Sequence, residues 1–493
     1  MIKVLRAAIL CVVLTALSPV WLGTAGAKDS LSHSDLSFHS SNSALNESFQ
    51  WAKQQALLYA RLTQGPIGPW YEAALPGRNA FCMRDVSHQT EGAAALKLFE
   101  ANRNMLHRFA ESAAASRDWA AYWEIDGSGN PSSFDYISDS DFWFNLPANF
   151  DVLDAAVRMW RWTGDDFYRV DPQFQTFFKE TLTDYINRWH LEPGSILTRP
   201  RIANQRLKKG RFVDSRGIPS YIEGPRDFIF GTDLLAAEYR AIRSYQELAT
   251  RPEDKTLAMQ LQGIADQIQH ILETVAWDPK QGHFNGVIRT DLSGMGSGDT
   301  FALYFDSVKD PNHIRGALGY ISDPAYWRKI NIEEESYVPL LLFRYGKPET
   351  AYSVLFDLAD PAKPRREYPE VSYAVLAAIV SGAMGIEPAH AGEDYDVQTL
   401  PQPLSRTGDL TISSLPVKGN LLEISHAGDR TTRFKNTAGT PIRWRAAFKG
   451  SSEKLLVNGR PVPASHALLR SCVQISFTTI TVKPGETVVV SIK

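Results

Sequence analysis

The sequence predicts a mainly α-helical protein, a toroid of helical hairpins followed by a C-terminal β-sandwich. From residue 45 to residue 388, apolar residues recur at helical spacing in successive pairs of segments. Short turns between these segments alternate with long loops rich in glycine, aspartate, serine and aromatic residues, at 120–145, 191–227 and 278–300. After residue 410 the apolar period falls to two, which is typical of strands that bury one face.

The helical pairs are clearest in the middle of the chain. Two segments there carry apolar residues every three or four positions, and the turn 250–254 joins them as an αα-hairpin: Leu235, Tyr239, Ile242 and Tyr245, then Leu257, Leu261, Ile264, Ile268, Leu272 and Val275. A second pair is predicted at 336–345 and 349–359. Further helices are predicted at 48–64, 87–114, 146–163, 172–190 and 369–382.

Changes of composition divide the chain into five parts. Residues 1–27 read as a signal peptide, with a positive start, an apolar stretch from Ala7 to Leu17 and small residues at Ala25-Gly26-Ala27. A polar leader at 28–44, disordered or draped over the fold, precedes the helical domain at 45–388. A linker at 389–409 leads to the β-sandwich at 410–493, where turn signals such as Asn458-Gly459 separate the strands. We therefore expect a secreted or periplasmic protein, with an uncleaved signal anchor as the alternative.

Charge and motif content exclude several classes of function. The net charge of −3 does not favour nucleic acid or an anionic membrane as a partner. Cys11 belongs to the signal, and Cys82 and Cys472 lie in separate predicted domains, so no disulfide framework is expected. Metal-ligand clusters, a glycine-rich phosphate loop and a Gly-x-Ser-x-Gly elbow do not occur in the sequence. We expect no metal and no organic cofactor.

The pair Arg84-Asp85 stands at the start of a predicted helix, directly after the turn 75–79. Such a pair is explained either as a helix start that favours Asp or as one wall of a pocket that grips hydroxyl groups. Acidic and aromatic residues in the later loops favour the pocket.

A carboxyl group that donates a proton is predicted in the long loop 191–227. Glu223 follows Tyr221 and Ile222, whose apolar surroundings would raise its pKa. Asp227 is the rival for this role, but we expect it to cap a helix that starts near Phe228.

A second carboxyl group is predicted at Glu370, which follows Pro369 at a helix start. A dipole-matched first turn explains this Glu about as well as catalysis does. Arg365 and Arg366 would keep a neighbouring carboxylate ionised, as a general base requires. Glu367 is the alternative base.

Two aromatic and acidic stretches in the loop 120–145 are expected to contact a sugar, because aromatic faces stack on sugar rings. The residues expected to bind substrate there and in the next loop are Trp123, Glu124, Asp141, Trp143 and Tyr221, with Glu367 added from the late loop. A calcium site built from Asp135, Asp139 and Asp141 is the alternative reading of this loop.

The chain resembles the six-hairpin (α/α)6 glycosidase superfamily, which includes glucoamylases, exo-acting α-mannosidases and α-L-rhamnosidases. The resemblance covers most of 45–388 and lies in three stretches: Met83-Arg84-Asp85-Val86-Ser87, Ile222-Glu223-Gly224 and Glu370-Val371-Ser372-Tyr373-Ala374. It implies an (α/α)6 toroid and an Arg–Asp pair that grips the sugar at the non-reducing end. The tandem Trp-Glu-Glu of glucoamylases is missing here, so the resemblance extends to fold and reaction class and not to the sugar.

The function expected is an exo-acting, inverting glycoside hydrolase acting on an oligosaccharide, polysaccharide or glycoside. Glu223 would be the general acid and Glu370 the general base, roughly 6.5–9.5 Å apart as inverting enzymes require. Two other classes stay open. A polysaccharide lyase or sugar isomerase would place His88 or His283 opposite Tyr221, and a non-catalytic carbohydrate-binding protein would bind without turnover.

Overall fold

The computed structural model describes residues 34–492, except residues 64 and 250 and the side chain of residue 253. The predicted signal peptide and the beginning of the predicted leader lie outside these residues. Within the described part, no helix has the length and apolar character needed to cross a membrane. Both remaining cysteines are free thiols, with Cys82 buried and Cys472 exposed.

Helices dominate the described chain up to residue 383, as the apolar periodicity predicts. Many begin with proline at the first position, where the missing N–H costs nothing because it has no partner within the helix. The α-helices are Ser43–Tyr59, Met83–Ala95, Phe99–Ser112, Pro147–Thr163, Phe167–Val170, Pro172–Glu180, Ile186–Trp189, Pro193–Ile196, Thr232–Leu248, Pro252–Ile271, Asp299–Tyr304, Pro311–Ile321, Pro324–Trp327, Ile332–Glu335, Val338–Arg344, Pro348–Ala359 and Pro369–Ala377. Three of them continue into π-helical turns at Thr181–Tyr185, Leu272–Ala276 and Ala378–Ala383.

The predicted hairpins at 235–275 and 336–359 are present as packed pairs of antiparallel neighbours along the chain. Helix Thr232–Leu248 packs against Pro252–Ile271, and Val338–Arg344 packs against Pro348–Ala359. The single helix predicted at 87–114 is wrong. It is two helices, which turn through Lys97 in the left-handed region at φ 67°. The closed toroid of six hairpins stays a prediction.

The C-terminal region contains two β-sheets, so the change of period after residue 410 correctly predicts strands. The larger sheet runs, in spatial order, Ser37–Ser40, Asp409–Val417, Asn420–Ala427, Thr431–Ala438, Thr487–Ile492, Lys454–Val457 and Arg460–Pro463. The smaller sheet runs Glu387–Pro388, Val397–Thr399, Ile442–Lys449, Val473–Val482 and Ser465–Leu469. Phe434 of the larger sheet stacks on Trp444 of the smaller one, with ring centroids 4.6 Å apart.

Two of these strands lie where the sequence predicts none. Ser37–Ser40, within the predicted leader, pairs antiparallel with residues 410–413 of the larger sheet. Val397–Thr399, within the predicted linker, pairs parallel with residues 444–446. Both segments are too short and too polar to show a strand period on their own, and the partner strands supply the order.

One close helix contact positions the site described below. Helices Met83–Ala95 and Pro369–Ala377 pack against each other, and a Cβ added at Gly92 would lie 2.2 Å from the carbonyl oxygen of Tyr373. Only glycine permits this approach. This close packing brings together the N-terminal turns of the two helices, which carry Asp85 and Glu370.

Candidate active site

A cleft of about 440 Å³ contains most of the residues that the sequence singles out. Four of its residues, Arg84, Asp85, Glu333 and Glu370, come from the first turns of three helices, and the others come from short strands and loops. The lining consists of Ala74, Leu75, Arg78, Cys82, Arg84, Asp85, Trp123, Glu124, Phe134, Asp135, Trp143, Arg211, Phe212, Glu223, Glu333 and Glu370.

The Arg84–Asp85 pair lies at the buried side of this cleft. Arg84 Nε is 3.5 Å from Asp85 Oδ1, and the guanidinium lies over the ring of Tyr221 at 5.1 Å. Burial raises the pKa of Asp85 to about 6, against the opposing charge of Arg84. The pair therefore presents both hydrogen-bond donors and acceptors to the cleft, and its binding to hydroxyl groups of a ligand stays a prediction.

Glu124 is brought beside this pair by strand register. The strand Ala80–Cys82 pairs with Glu124–Asp126, so that Cys82 and Glu124 face each other directly before the helix that carries Arg84. Glu124 is buried and accepts a 3.0 Å hydrogen bond from Arg78. The same Arg78 nitrogen lies 3.5 Å from Asp135, whose pKa is raised to about 7 by burial and by the charge of Glu124.

Glu370 is almost fully buried, at 3% exposure. Burial first, and then the charge of Asp85, hold its pKa well above the usual range, while Arg84 acts in the opposite direction. The expectation that Arg365 and Arg366 keep it ionised is wrong. The guanidinium of Arg366 lies over the ring of Trp51 at 3.9 Å, and Arg365 lies 3.8 Å from Glu333.

Glu223 is exposed at the mouth of the cleft and is held there by polar contacts. Asn145 donates to its Oε1 at 3.3 Å, and Arg201 donates to its backbone carbonyl at 3.0 Å. Trp143 in turn donates its indole N–H to Asn145 at 2.8 Å. Desolvation raises the pKa of Glu223, and Arg84, Asn145 and Arg201 limit the rise.

Two of the expected sugar-binding aromatic residues, Trp123 and Trp143, line the cleft. Tyr221 lies beneath it, because its hydroxyl donates to Asp151 and its ring supports Arg84. The hydrogen bond from Tyr221 does not prevent burial from raising the pKa of Asp151 to about 8. Tyr221 is therefore a positioning residue rather than a direct contact.

Two alternative catalytic residues do not reach the cleft. Residues 228–231 form a strand, and the helix begins only at Thr232, so Asp227 is not a helix cap. Asp227 is exposed and pairs with Arg289 at 3.3 Å. Glu367 is exposed as well, and its backbone carbonyl accepts from Tyr59. Neither residue belongs to the lining.

Asp141 is buried, and its carboxylate binds backbone amides instead of lining the cleft. Its two oxygens accept from the amides of Arg211 at 2.9 Å and Phe212 at 2.8 Å. The alternative calcium site is not formed, since Asp139 pairs with Arg117 at 2.6 Å. Across the described residues, no group of three or more His, Cys, Asp and Glu side chains is placed to hold a metal ion.

Several lining residues were not predicted as site residues. Glu333 belongs to an acidic run that reads as an ordinary helix start, and the structure does place it in the short helix Ile332–Glu335. Asp135 is predicted from the sequence only as a ligand of the alternative calcium site. Arg211 follows two lysines in a basic stretch that no sequence rule connects with the cleft. Of these residues, only Glu333 has a usable signal in the sequence, which is the acidic run that contains it.

The histidines that a lyase or isomerase would require have other partners. His88 stacks on Tyr337 at 3.6 Å between centroids and bonds to Ser336 at 2.9 Å, and burial lowers its pKa to about 3. His283 lies 3.2 Å from Asp299 and stacks on Tyr320. Within the described residues, neither ring contacts Tyr221.

A second cavity, of about 80 Å³, lies further along the same helices, and its charges compensate each other. Arg344 pairs with Glu91 at 3.0 Å and with Glu387 at 2.7 Å, and Arg470 pairs with Asp306 at 3.2 Å. These ion pairs join the helices to the β-region. The cavity therefore has a structural explanation, whereas the cleft combines aromatic side chains with carboxyl groups whose pKa values burial raises, namely Asp85, Asp135 and Glu370.

Neither a protein-family model nor a curated protein matches the sequence. Solved structures do match. They include a GH78 family rhamnosidase of Bacillus sp. GL1, at 14% identity and a TM-score of 0.56, which covers 82% of this chain and 40% of that chain. An α-L-rhamnosidase from Dictyoglumus thermophilum matches at 12% identity and a TM-score of 0.61, covering 93% and 51%. One from Aspergillus terreus matches at 11% and 0.55, covering 92% and 50%.

The likeness is one of fold. The chain spans between 40% and 51% of the lengths of these three proteins.

Proposed function

We propose that this protein is a glycoside hydrolase that releases a terminal sugar with inversion at the anomeric carbon. One observation carries the proposal: Glu223, Glu370 and the Arg84–Asp85 pair line the same cleft. Glycoside hydrolysis needs two carboxyl groups with different proton affinities on either side of the scissile bond. The fold likeness to glycosidases is consistent with this reaction.

The positions of the two carboxyl groups favour Glu223 as the general acid. The leaving group of an exo-acting enzyme points towards the mouth of the cleft, where Glu223 is exposed, and its raised pKa keeps a proton available. Glu370 is deep in the cleft, where it would take a proton from water on the other face of the sugar. Because the pKa of Glu370 is raised further than that of Glu223, the active form, with Glu223 protonated and Glu370 ionised, is a minor protonation state, and the rate should fall on the acid side with Glu223 and on the alkaline side with Glu370.

The remaining lining residues suit a neutral sugar at the buried end. Asp85 and Glu124 offer carboxyl oxygens, and Arg84 offers N–H donors to ring hydroxyls. Trp123 and Trp143 provide aromatic surface for the apolar face of a sugar ring. Since the similar structures are named rhamnosidases, α-L-rhamnosides are the first substrates to test.

The test compares the two carboxyl variants on a panel of aryl glycosides. Removing the acid in Glu223→Gln should abolish hydrolysis of sugars with alkyl leaving groups while retaining some with a strongly acidic phenol, which needs no protonation. Glu370→Gln should lose activity on every substrate and regain it when azide replaces the activated water. Asp227→Asn and Glu367→Gln are matched controls, because both residues are exposed outside the cleft and should leave turnover unchanged.

Proton NMR of the first sugar released identifies its anomer, and retention would contradict the inverting mechanism. Full activity in Glu223→Gln or Glu370→Gln would remove that residue from the mechanism. Tight saccharide binding with no turnover on any glycoside would show a binding protein instead.

A further inference from the structure

The segment 199–226, which leads to Glu223, is rich in arginine and lysine. Four of its arginines are used inside the fold. Arg199 donates to the carbonyls of residues 189 and 229, and Arg201 donates to those of residues 214 and 223. Arg206 and Arg216 both pair with Asp118. These cations have their partners and are not available to a ligand.

Four other cations of the segment are exposed: Lys208, Lys209, Arg211 and Arg226. We call them the basic rim. Within the described residues, none of the four lies within 4 Å of a carboxylate. Arg211 donates only to the carbonyl of Ser133, at 3.3 Å, and Arg226 only to that of Asp214, at 3.4 Å.

Arg211 is the residue of the basic rim that lines the cleft, and it is one of three arginines there. The other two are compensated, since Arg78 pairs with Glu124 at 3.0 Å and Arg84 lies 3.5 Å from Asp85. The guanidinium of Arg211 forms no ion pair within 4 Å among the described residues, although its charge acts to lower the pKa of Asp135 in the same lining. Hydrogen bonds from its own backbone to buried Asp141 hold it in place.

The charges of the cleft thus divide by depth. The buried side carries Asp85, Glu124 and Glu370, whose carboxyl groups can bind hydroxyl groups, and its two arginines are already paired, so it offers no cation to an anionic sugar. The exposed side carries the basic rim beside Glu223, the residue that would protonate the leaving group. An anion is therefore favoured on the leaving-group side and disfavoured at the terminal sugar.

We propose that the substrate is a neutral terminal sugar linked to an acceptor that bears an anionic group, with Arg211 binding that group. This inference rests on the proposed hydrolytic function. The planar guanidinium binds a carboxylate or a sulfate through two parallel hydrogen bonds. The acceptor class is thus a uronate-bearing or sulfated glycan, and the lysines of the basic rim attract the rest of such a chain.

The experiment uses three disaccharides with the same terminal sugar, whose acceptors are a uronic acid, its methyl ester and a sulfated hexose. The ratio of kcat/KM for the uronate to that for the methyl ester should be about ten- to a hundredfold, the size expected for a charged hydrogen bond. It should fall as salt rises. Arg211→Gln should bring the ratio close to one, whereas Arg460→Gln, an exposed cation of the β-region, should leave it unchanged. The sulfated acceptor shows whether carboxylate or sulfate is preferred.

Equal kcat/KM for the uronate and its methyl ester in the wild type, with hydrolysis of both, would overturn this inference and leave the hydrolase proposal intact. No hydrolysis of any glycoside would refute the hydrolase proposal instead. Calorimetry of the Glu223→Gln protein with the uronate disaccharide and its ester then decides the anion preference. Tighter binding of the uronate supports the role of Arg211, and equal binding overturns it.

Discussion

Replacing Asp118 by asparagine should destabilise the protein and loosen the segment that carries the basic rim. Asp118 is completely buried and pairs with three arginines, Arg188 at 2.8 Å and, at shorter range, Arg206 and Arg216. Arg216 is itself only 1% exposed, so its charge depends on this carboxylate. Asparagine suits the perturbation because Asp118 has a φ of 57°, which asparagine also tolerates.

The magnitude follows from the burial of the pair. Removing one partner of a buried ion pair costs about 3–5 kcal/mol, because the other charge stays buried without compensation. Unfolding entropy of roughly 2.1 cal/mol/K per residue gives roughly 1 kcal/mol/K for a chain of 493 residues. The melting temperature of Asp118→Asn should therefore fall by about 3–5 °C.

Calorimetry at pH 7 measures this difference, with Asp184→Asn as the control because Asp184 is exposed. Burial raises the pKa of Asp118, but hydrogen bonds from Arg216 and Arg188 outweigh it, so the net pKa is lowered. The stabilisation is thus complete above the unfolded pKa of about 3.9 and is lost as the pH falls through the folded value. The gap between wild type and variant should close in acid. An unchanged melting temperature at pH 7 would refute the reasoning.

Three further predictions concern the cleft and its support. Asp85→Asn should move the alkaline limb of the kcat/KM–pH profile to lower pH, because the charge of Asp85 raises the pKa of Glu370, the higher of the two; an unmoved limb would exclude Glu370 as the group seen. Asn145→Ala should move the acidic limb to higher pH, since the hydrogen bond from Asn145 lowers the pKa of Glu223, the lower of the two; a shift to lower pH would contradict this. Gly217→Ala should cost about 1–3 kcal/mol in urea unfolding, because φ is 84° and the new Cβ would lie 2.2 Å from a buried indole ring. Wild-type stability would show that the ring can move aside.

The convergence of Arg84, Asp85 and Glu370 in the cleft could be predicted because each lies in the first turn of a helix. Helix starts are marked locally, by a preceding turn, by proline or by an acidic residue. In a series of helical hairpins, every second helix starts at the same end of the domain. Helix starts that the sequence marks on separate hairpins are therefore candidates for one site. Glu223 could be predicted as a candidate because it lies in a long loop of the helical domain.

Residues that depend on three-dimensional partners could not be predicted in this way. Asp227 fails as a helix cap because a strand at 228–231, paired with residues 287–289, delays the helix start to Thr232. Asp141 looks like a sugar contact, yet its oxygens are taken by the amides of residues 211 and 212. Strand pairing between segments nearly sixty residues apart, or a hydrogen bond from a backbone amide to a side chain, produces no periodic pattern in the sequence.

Arg211 shows the same limit for charged residues. The sequence presents eight cations between residues 199 and 226 without indicating which are compensated. The buried Asp118, more than eighty residues earlier, takes two of them, and backbone carbonyls take others. Only the positions of these partners in space show that Arg211, unlike Arg78 and Arg84, forms no ion pair in the described part of the cleft.

The strand Ser37–Ser40 has a consequence for how the chain is made. It emerges from the ribosome early, but its partner begins at Asp409, whose amide also bonds to the side chain of Ser41 at 3.2 Å. At roughly 5–20 residues per second, the first strand waits on the order of 20–75 seconds for the second. The larger sheet is therefore among the last parts to assemble, and a nascent chain stalled before residue 409 would carry an open strand edge that neighbouring chains could bind.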